Sequence, residues 1–353
     1  MRTFKPLMAA IGMAGLMCAA SVVAADKPQT TLRFSNWLPP AHEIVTQMLQ
    51  PWAKEVERVT EGRVRIQFIN ALGKPQAHLD LVRNGVADLG MSVHTYTAKR
   101  FPLTGFAELP FTTDDGGVNS VAYWRTYQKY MMGANEHKGV KLLGLWTSPA
   151  TSIFTARSSV ASIGDLKGAK LRSPSPLFDS IGRALSVVTV NAPASESYEM
   201  LSRGVIDGLY FQYDQILGWK LDKLIRTAVK VPGGFGKSSQ YLIMNERKWR
   251  SLSEEDRRAI DQVSGEVIAR TFGRTWQANE RAAIEQLSGR GLRTLSIEGE
   301  ALAELKQKLA FVEKDWLKEA GRQGIDAQAA LDYFRAQIEV LSGPGAQDEP
   351  SGS

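Results

Sequence analysis

The stretch from Ile163 to Phe211, IGDLKGAKLRSPSPLFDSIGRALSVVTVNAPASESYEMLSRGVIDGLYF, decides the fold of this chain. Gly168 marks a turn, and the strand after it ends at Arg172. A helix opens after Ser175-Pro176, and a second strand runs through Val190. The next helix starts at Ser195, carries Glu196, Tyr198 and Leu201, and closes at Gly204. Strands and helices alternating at this length predict α/β units on a parallel or mixed sheet. Ligands of such sheets lie beyond the carboxyl ends of the strands, which is where Arg172 falls. Taken alone, a strand-terminal arginine before Ser-Pro reads first as a surface charge.

These residues resemble the solute-binding subunits of tripartite ATP-independent periplasmic (TRAP) transporters, the DctP-like family. "DLKGAKLR" is similar to the family strand that carries a carboxylate-binding arginine. "APASESYEMLSRGVIDG" resembles its Pro-x-x-Glu-x-Tyr-x-x-Leu helix with the trailing Val/Ile-Asp-Gly. "PWAKEVERVTEGRVRIQFINALGKPQAHLDLVRNGVADLGMS" and "ELPF" (Glu108 to Phe111) match further landmarks in the same order. The resemblance implies an α/β, two-domain periplasmic binding protein (type II-like) with a long helix spanning both domains. It also implies that Arg172 holds a ligand carboxylate and that the closed form docks on the transporter's membrane subunits.

The N-terminus reads as a secretory signal peptide, residues 1–25. Arg2 and Lys5 form the positive region, Leu7 to Ala20 the apolar run, and Val23-Ala24-Ala25 the cleavage site before Asp26. That run is too short to span a membrane, and no stable membrane insertion is expected elsewhere. Cys18, the only cysteine, lies inside this segment. The preceding Met17 is larger than a lipoprotein signal wants there. The mature chain would have no disulfide, no cysteine metal site and no thiol nucleophile. Without Arg2 and Lys5 it carries 41 basic against 37 acidic residues, interspersed. No basic stripe with interleaved aromatics marks a nucleic-acid groove.

Periodicity supplies the rest of the plan. Thr31 to Trp37 is a first strand. Ile44, Met48, Trp52, Val56 and Val59 make an amphipathic helix that Pro51 should kink. Strands are expected at 64–68, 88–93 and 140–146, a helix at 76–84, and a return into the first domain through 229–236 and 241–245. Glu254 to Ser288 reads as one helix of about 50 Å, with Gly265 and Gly273 tolerated and Ser253 as its N-cap. Two more helices follow, 300–321 and 327–341. Domain I is expected at 26–149 plus 238–277, and domain II at 150–237 plus 278–341. The tail 342–353 should be disordered.

A guanidinium pairs two-pronged with a carboxylate, and with the family motif around it Arg172 is the principal candidate ligand group. Many family members carry a second arginine about twenty residues earlier; here that place falls near Ser152. Where the family often has asparagine, this chain has Phe211, within Tyr210-Phe211-Gln212-Tyr213. These aromatics are either ordinary core or the wall of a pocket for a monocarboxylate with an apolar or aromatic body. Trp37 and His94, at strand ends, would face the same cleft; a lone histidine also serves as a structural residue. Glu196 reads as a hydrogen-bond partner rather than an acid catalyst.

The histidines show no zinc spacing, and no metal or cofactor is expected. "GFGKSS" (Gly234 to Ser239) lacks the first glycine of a phosphate loop. "GMSVH" (Gly90 to His94) lacks the second glycine of a nucleophile elbow. The resulting expectation is a non-enzymatic receptor that captures a small organic acid by hinge closure. The alternatives are a secreted α/β hydrolase or lyase, and a binding protein of an ATP-driven importer.

Overall fold

The computed structural model of the chain describes Met1 and residues 29–70 and 72–343. The expected signal peptide (beyond Met1) and the tail from 344 onward lie outside the described residues. The strands are β1 (Thr30–Asn36), β2 (Val64–Asn70), β3 (Leu89–Val93), β4 (Val140–Thr147), β5 (Ser152–Thr155) and β6 (Lys170–Ser173). They continue as β7 (Val188–Asn191), β8 (Gly208–Phe211), β9 (Thr227–Lys230), β10 (Ser239–Asn245) and β11 (Arg293–Ser296).

They form two mixed sheets. The first has the order β2-β1-β3-β10-β4, with β10 antiparallel to both neighbours. The second has the order β11-β9-β5-β8-β6-β7, with β6 parallel to β7 and β8. The chain passes between the sheets from β4 to β5 and returns from β9 to β10. The two passages are bonded to each other: Ser148 N–H donates to the Ser238 carbonyl (2.9 Å) and Thr151 N–H to that of Gly236 (2.9 Å).

A third connection is the helix Glu266–Gly289, about 36 Å long. Its first half buries Ile268, Phe272 and Trp276 in the core under the first sheet. Its second half sends Ala283 and Leu287 into the core under the second, beside Phe154, Leu209 and Ile216. One helix therefore belongs to both hydrophobic cores.

This helix is shorter than periodicity predicts. The expected run divides into Glu254–Gln262 and Glu266–Gly289. Gly265 takes φ 64°, and a Cβ there would meet the Trp124 ring at 2.9 Å. Its N–H donates to the Leu143 carbonyl, so the break is a close pass over β4 that only glycine allows. Pro51 is also handled differently from a simple kink. Ile44–Leu49 forms a π-turn whose Gln50 N–H reaches back to Val45, and Pro51 opens the α-helix Gln50–Val59. Its missing N–H falls at a junction between two pitches.

The last helices, Phe311–Arg322 and Ala327–Ser342, assigned from the sequence to domain II, also pack on the first lobe. Phe106 meets Trp316 and Phe334 at ring-centroid distances of 5.7 and 5.0 Å, and Trp316 Nε1 donates to the Leu103 carbonyl.

Glycine is required where the return passage lies against the outgoing one. Gly234 has φ 75°, and a Cβ there would sit 2.8 Å from the Thr151 nitrogen. Gly168, at φ 71°, has nothing within 4 Å. Gly234→Ala should therefore cost about 2 kcal/mol or more, because a clash with backbone adds to the φ strain. Gly168→Ala should cost about 1 kcal/mol. Melting curves of the two variants test this, and equal losses would contradict the close-pass reading.

Candidate functional site

Arg172 stands on β6 between β7 and β8, opposite Val190 and Leu209. The side chain is only 2% exposed. Its Nε donates to the Ala192 carbonyl (2.8 Å) and an Nη to that of Tyr210 (3.3 Å), while the guanidinium lies 5.2 Å from the Phe211 ring centroid. Two carbonyls and a ring face orient the fork without neutralising it. Among the described residues no carboxylate is within ion-pair distance. Burial lowers the guanidinium's proton affinity, partly offset by the Tyr96 hydroxyl and, through space, by the exposed Glu196. A buried charge without a counterion costs several kcal/mol, so this site favours an incoming anion.

The cleft beside it, a narrow cavity of about 50 Å³, is walled by both lobes. Trp37, Tyr96, Tyr210, Phe211, Trp219 and Trp276 supply aromatic surface. Trp37 Nε1 is committed to the Met91 carbonyl (3.2 Å), and its ring meets that of Tyr96 edge-on at 6.0 Å. The lobes touch here, since Ala194 N–H donates to the Tyr96 hydroxyl (3.1 Å). Gln212, also in the wall, donates through Nε2 to Ser148 Oγ (3.0 Å) and Thr151 Oγ1 (2.8 Å). It thereby ties the cleft to the passage between the lobes.

The structure brings Arg172, Trp37, Tyr210 and Phe211 together and places the other sequence candidates elsewhere. His94 is 1% exposed and its nitrogens are taken within the first lobe: Nδ1 meets Ser239 Oγ (3.0 Å) and Nε2 meets His137 Nε2 (3.0 Å). Burial, then His137, pushes its pKa well down. Ser152 pairs with Phe211 across β5 and β8 but does not line the cleft, whereas its neighbour Thr151 does. Tyr213 points into the second core, edge-on to Phe154 at 4.8 Å. Glu196 is exposed at the mouth and forms no buried link. Tyr96 and Gln212, which sequence reasoning passed over, carry no motif that would have marked them. The glutamate of "ELPF" serves the passage between lobes, with Glu108 Oε1 accepting from both the N–H and the hydroxyl of Ser239.

Below the aromatic wall three acidic side chains meet where the lobes join. Gln215 Nε2 donates to Glu43 Oε1 (3.0 Å) and to Asp214 Oδ2 (2.7 Å). Trp276 Nε1 donates to the same Asp214 oxygen (2.6 Å), and Glu280 accepts the N–H groups of Tyr213 and Asp214. Burial first, then the Asp214 charge, pushes the pKa of Glu43 and of Glu280 up. His42 is pushed down by burial, with Asp214 acting against it. No group of residues suited to holding a metal ion occurs among the described residues, and none of their helices is long and apolar enough to cross a membrane.

The chain belongs to the bacterial extracellular solute-binding proteins of family 7, the DctP family, whose model matches residues 34–319. It is 30% identical over 332 residues to the outer membrane transporter protein TsaT of Comamonas testosteroni, covering 91% of this chain and 97% of that one. Among solved structures it is similar to a TRAP periplasmic solute-binding protein from Bordetella bronchiseptica with bound (R)- and (S)-mandelate. That match has 36% identity and a TM-score of 0.86, over 89% of this chain and 100% of that one. A TRAP solute-binding protein from Rhodoferax ferrireducens with copurified benzoate is 26% identical, with a TM-score of 0.83 over 89% of this chain and 99% of that one. The two-sheet α/β architecture with its bridging helix is the architecture of these two-domain proteins.

The raised carboxyls make stability depend on pH. A folded state that keeps the Glu43 proton loses stability as pH rises above the ordinary carboxylate range, because the unfolded chain has by then released it. Glu280 and Glu108 act in the same sense. Lys237, pushed down to about 7 by burial, acts in the opposite one. Comparing Glu43→Gln with the parent protein cancels these shared contributions. The melting temperature of the variant should gain on the parent's between about pH 6 and about pH 9. A constant difference across that range would show that Glu43 is not held protonated.

Proposed function

We propose that this chain is a periplasmic receptor that closes on a monocarboxylate with an aromatic body and delivers it to the membrane subunits of a TRAP transporter. The observation that carries this reading is Arg172, a buried cation at the edge of an aromatic cleft with no counterion among the described residues. A carboxylate on its fork supplies the missing charge, and Trp37 and Phe211 take the apolar body. The aromatic acids bound by the Bordetella and Rhodoferax proteins support the same ligand class.

Closure follows from the distribution of the contacts. Arg172 and Phe211 belong to the lobe of the second sheet, and Trp37 and Tyr96 to that of the first, so only the closed form satisfies both ends of a ligand. Such a ligand binds the closed state better and shifts the population toward it. The hinge lies in the passages around Ser148 to Thr151 and Gly236 to Ser239. The domains divide near 149/150 and 237/238, with the helix Glu266–Gly289 shared. The N-terminal segment 1–25 exports the chain.

We read the protein as a receptor without catalysis. Ser239, His94 and Glu108 lie close together, yet all three are buried, and the carboxylate binds the serine instead of orienting the histidine. A nucleophile-base pair needs the reverse arrangement. Family membership favours the TRAP class over an ATP-driven importer.

The test is a thermal-shift screen of mature protein stripped of carried-over ligand. Aromatic and branched monocarboxylates are compared with their neutral amides. At a hundred times its dissociation constant a ligand adds about 2.7 kcal/mol, a shift of several degrees. The acids should shift the melt and the amides should not, and Arg172→Ala should abolish the shift while the free protein still folds. Equal shifts by amides, or unchanged affinity in the variant, would overturn the reading.

A further inference from the structure

The cleft contains a second polar determinant, on the lobe opposite Arg172. Most polar side chains in its wall are committed to protein partners. Trp37 donates to Met91, Gln212 to Ser148 and Thr151, and Trp276 to Asp214. Gln215 donates to Glu43 and Asp214 and accepts from Trp219 Nε1 (3.0 Å). Ser238 is partly exposed.

Among the described residues, two in the wall carry a buried side-chain oxygen with no partner, Tyr210 and Gln240. The Tyr210 hydroxyl is turned toward the helix Pro176–Ala184, 3.6 Å from where a Gly182 Cβ would stand. Gln240 is different. It sits on β10 between Val93 of β3 and Trp146 of β4, is 2% exposed, and lines the cleft together with Met91 and Val93.

An amide oxygen buried without a donor is costly. A hydrogen-bond donor on a ligand in the cleft would complete it. We infer that Gln240 reads a hydrogen-bond donor on the body of the ligand, so that the preferred ligands are hydroxylated aromatic monocarboxylates. The carboxylate is held from the second lobe by Arg172, and the hydroxyl donates to Gln240 Oε1 on the first. A ligand without the hydroxyl leaves the amide oxygen unsatisfied in the closed cleft. That penalty discriminates between ligands more sharply than an added apolar contact does. The inference rests on the aromatic-acid reading above and narrows it.

The experiment measures dissociation constants by calorimetry for benzoate and phenylacetate, each with its 3-hydroxy and 4-hydroxy derivative. The proteins are the parent, Gln240→Met, which keeps the side-chain length, and Gln240→Leu. In the parent at least one hydroxylated acid should bind roughly tenfold or more tighter than its unsubstituted counterpart. In both variants that ratio should fall to about one, with the unsubstituted acids bound as well as before or better. Retained binding of the unsubstituted acid is itself the control that the variant folds and closes. A hydroxyl preference that survives both substitutions, or no preference in the parent, would overturn the inference while leaving the aromatic-acid reading intact. If no acid binds the parent at all, the broader reading fails and this one with it.

Discussion

The arrangement depends on one electrostatic constraint: a guanidinium is buried at the seam between two lobes, with no carboxylate among the described residues to balance it. Taking an ion out of water costs several kcal/mol unless a partner repays it. Arg172 receives two carbonyls and a ring face, enough to fix its orientation but not its charge. The closed cleft is therefore incomplete by itself, and an anion of the right shape completes it. In the proposed mechanism the same feature couples ligand to closure, since the charge would be fully shielded only when the opposite wall comes up against it.

Around this point the fold has two sheets with their cores and a narrow set of connections. The helix Glu266–Gly289 buries one half in each core and so limits how the lobes can separate. The glycine-rich return lets backbone lie against backbone at the passage. Gln212 bonds the cleft wall directly to Ser148 and Thr151 of that passage. The acidic group of Glu43, Asp214 and Glu280 spans the same seam. Burial raises the proton affinity of Glu43 and Glu280, which adds a proton dependence to contacts between the lobes.

Much of this was legible in the sequence because it is local. The strand ending at Arg172, the helix after Ser175-Pro176 and the turn at Gly168 each follow from neighbours in the chain. The aromatic run after Gly208 also announced itself, and alternation along β8 places Phe211 in the wall. What was not legible depends on residues far apart in the chain. His94 was expected in the cleft, but its partners, His137 and Ser239, are 43 and 145 residues away, and they hold it inside the first lobe. Gly265 looked tolerable within a helix until Trp124 and the Leu143 carbonyl occupied the space around it. Gln240 carries no motif; its place in the cleft wall arises from register on β10, between β3 and β4.

A crystal structure of the mature protein with a bound aromatic monocarboxylate would decide whether Arg172 receives the ligand. Both carboxylate oxygens should lie within hydrogen-bonding distance of the Arg172 guanidinium, with no protein carboxylate nearby. A ligand carboxylate directed away from Arg172, or a guanidinium neutralised by Glu196 in the closed complex, would contradict it.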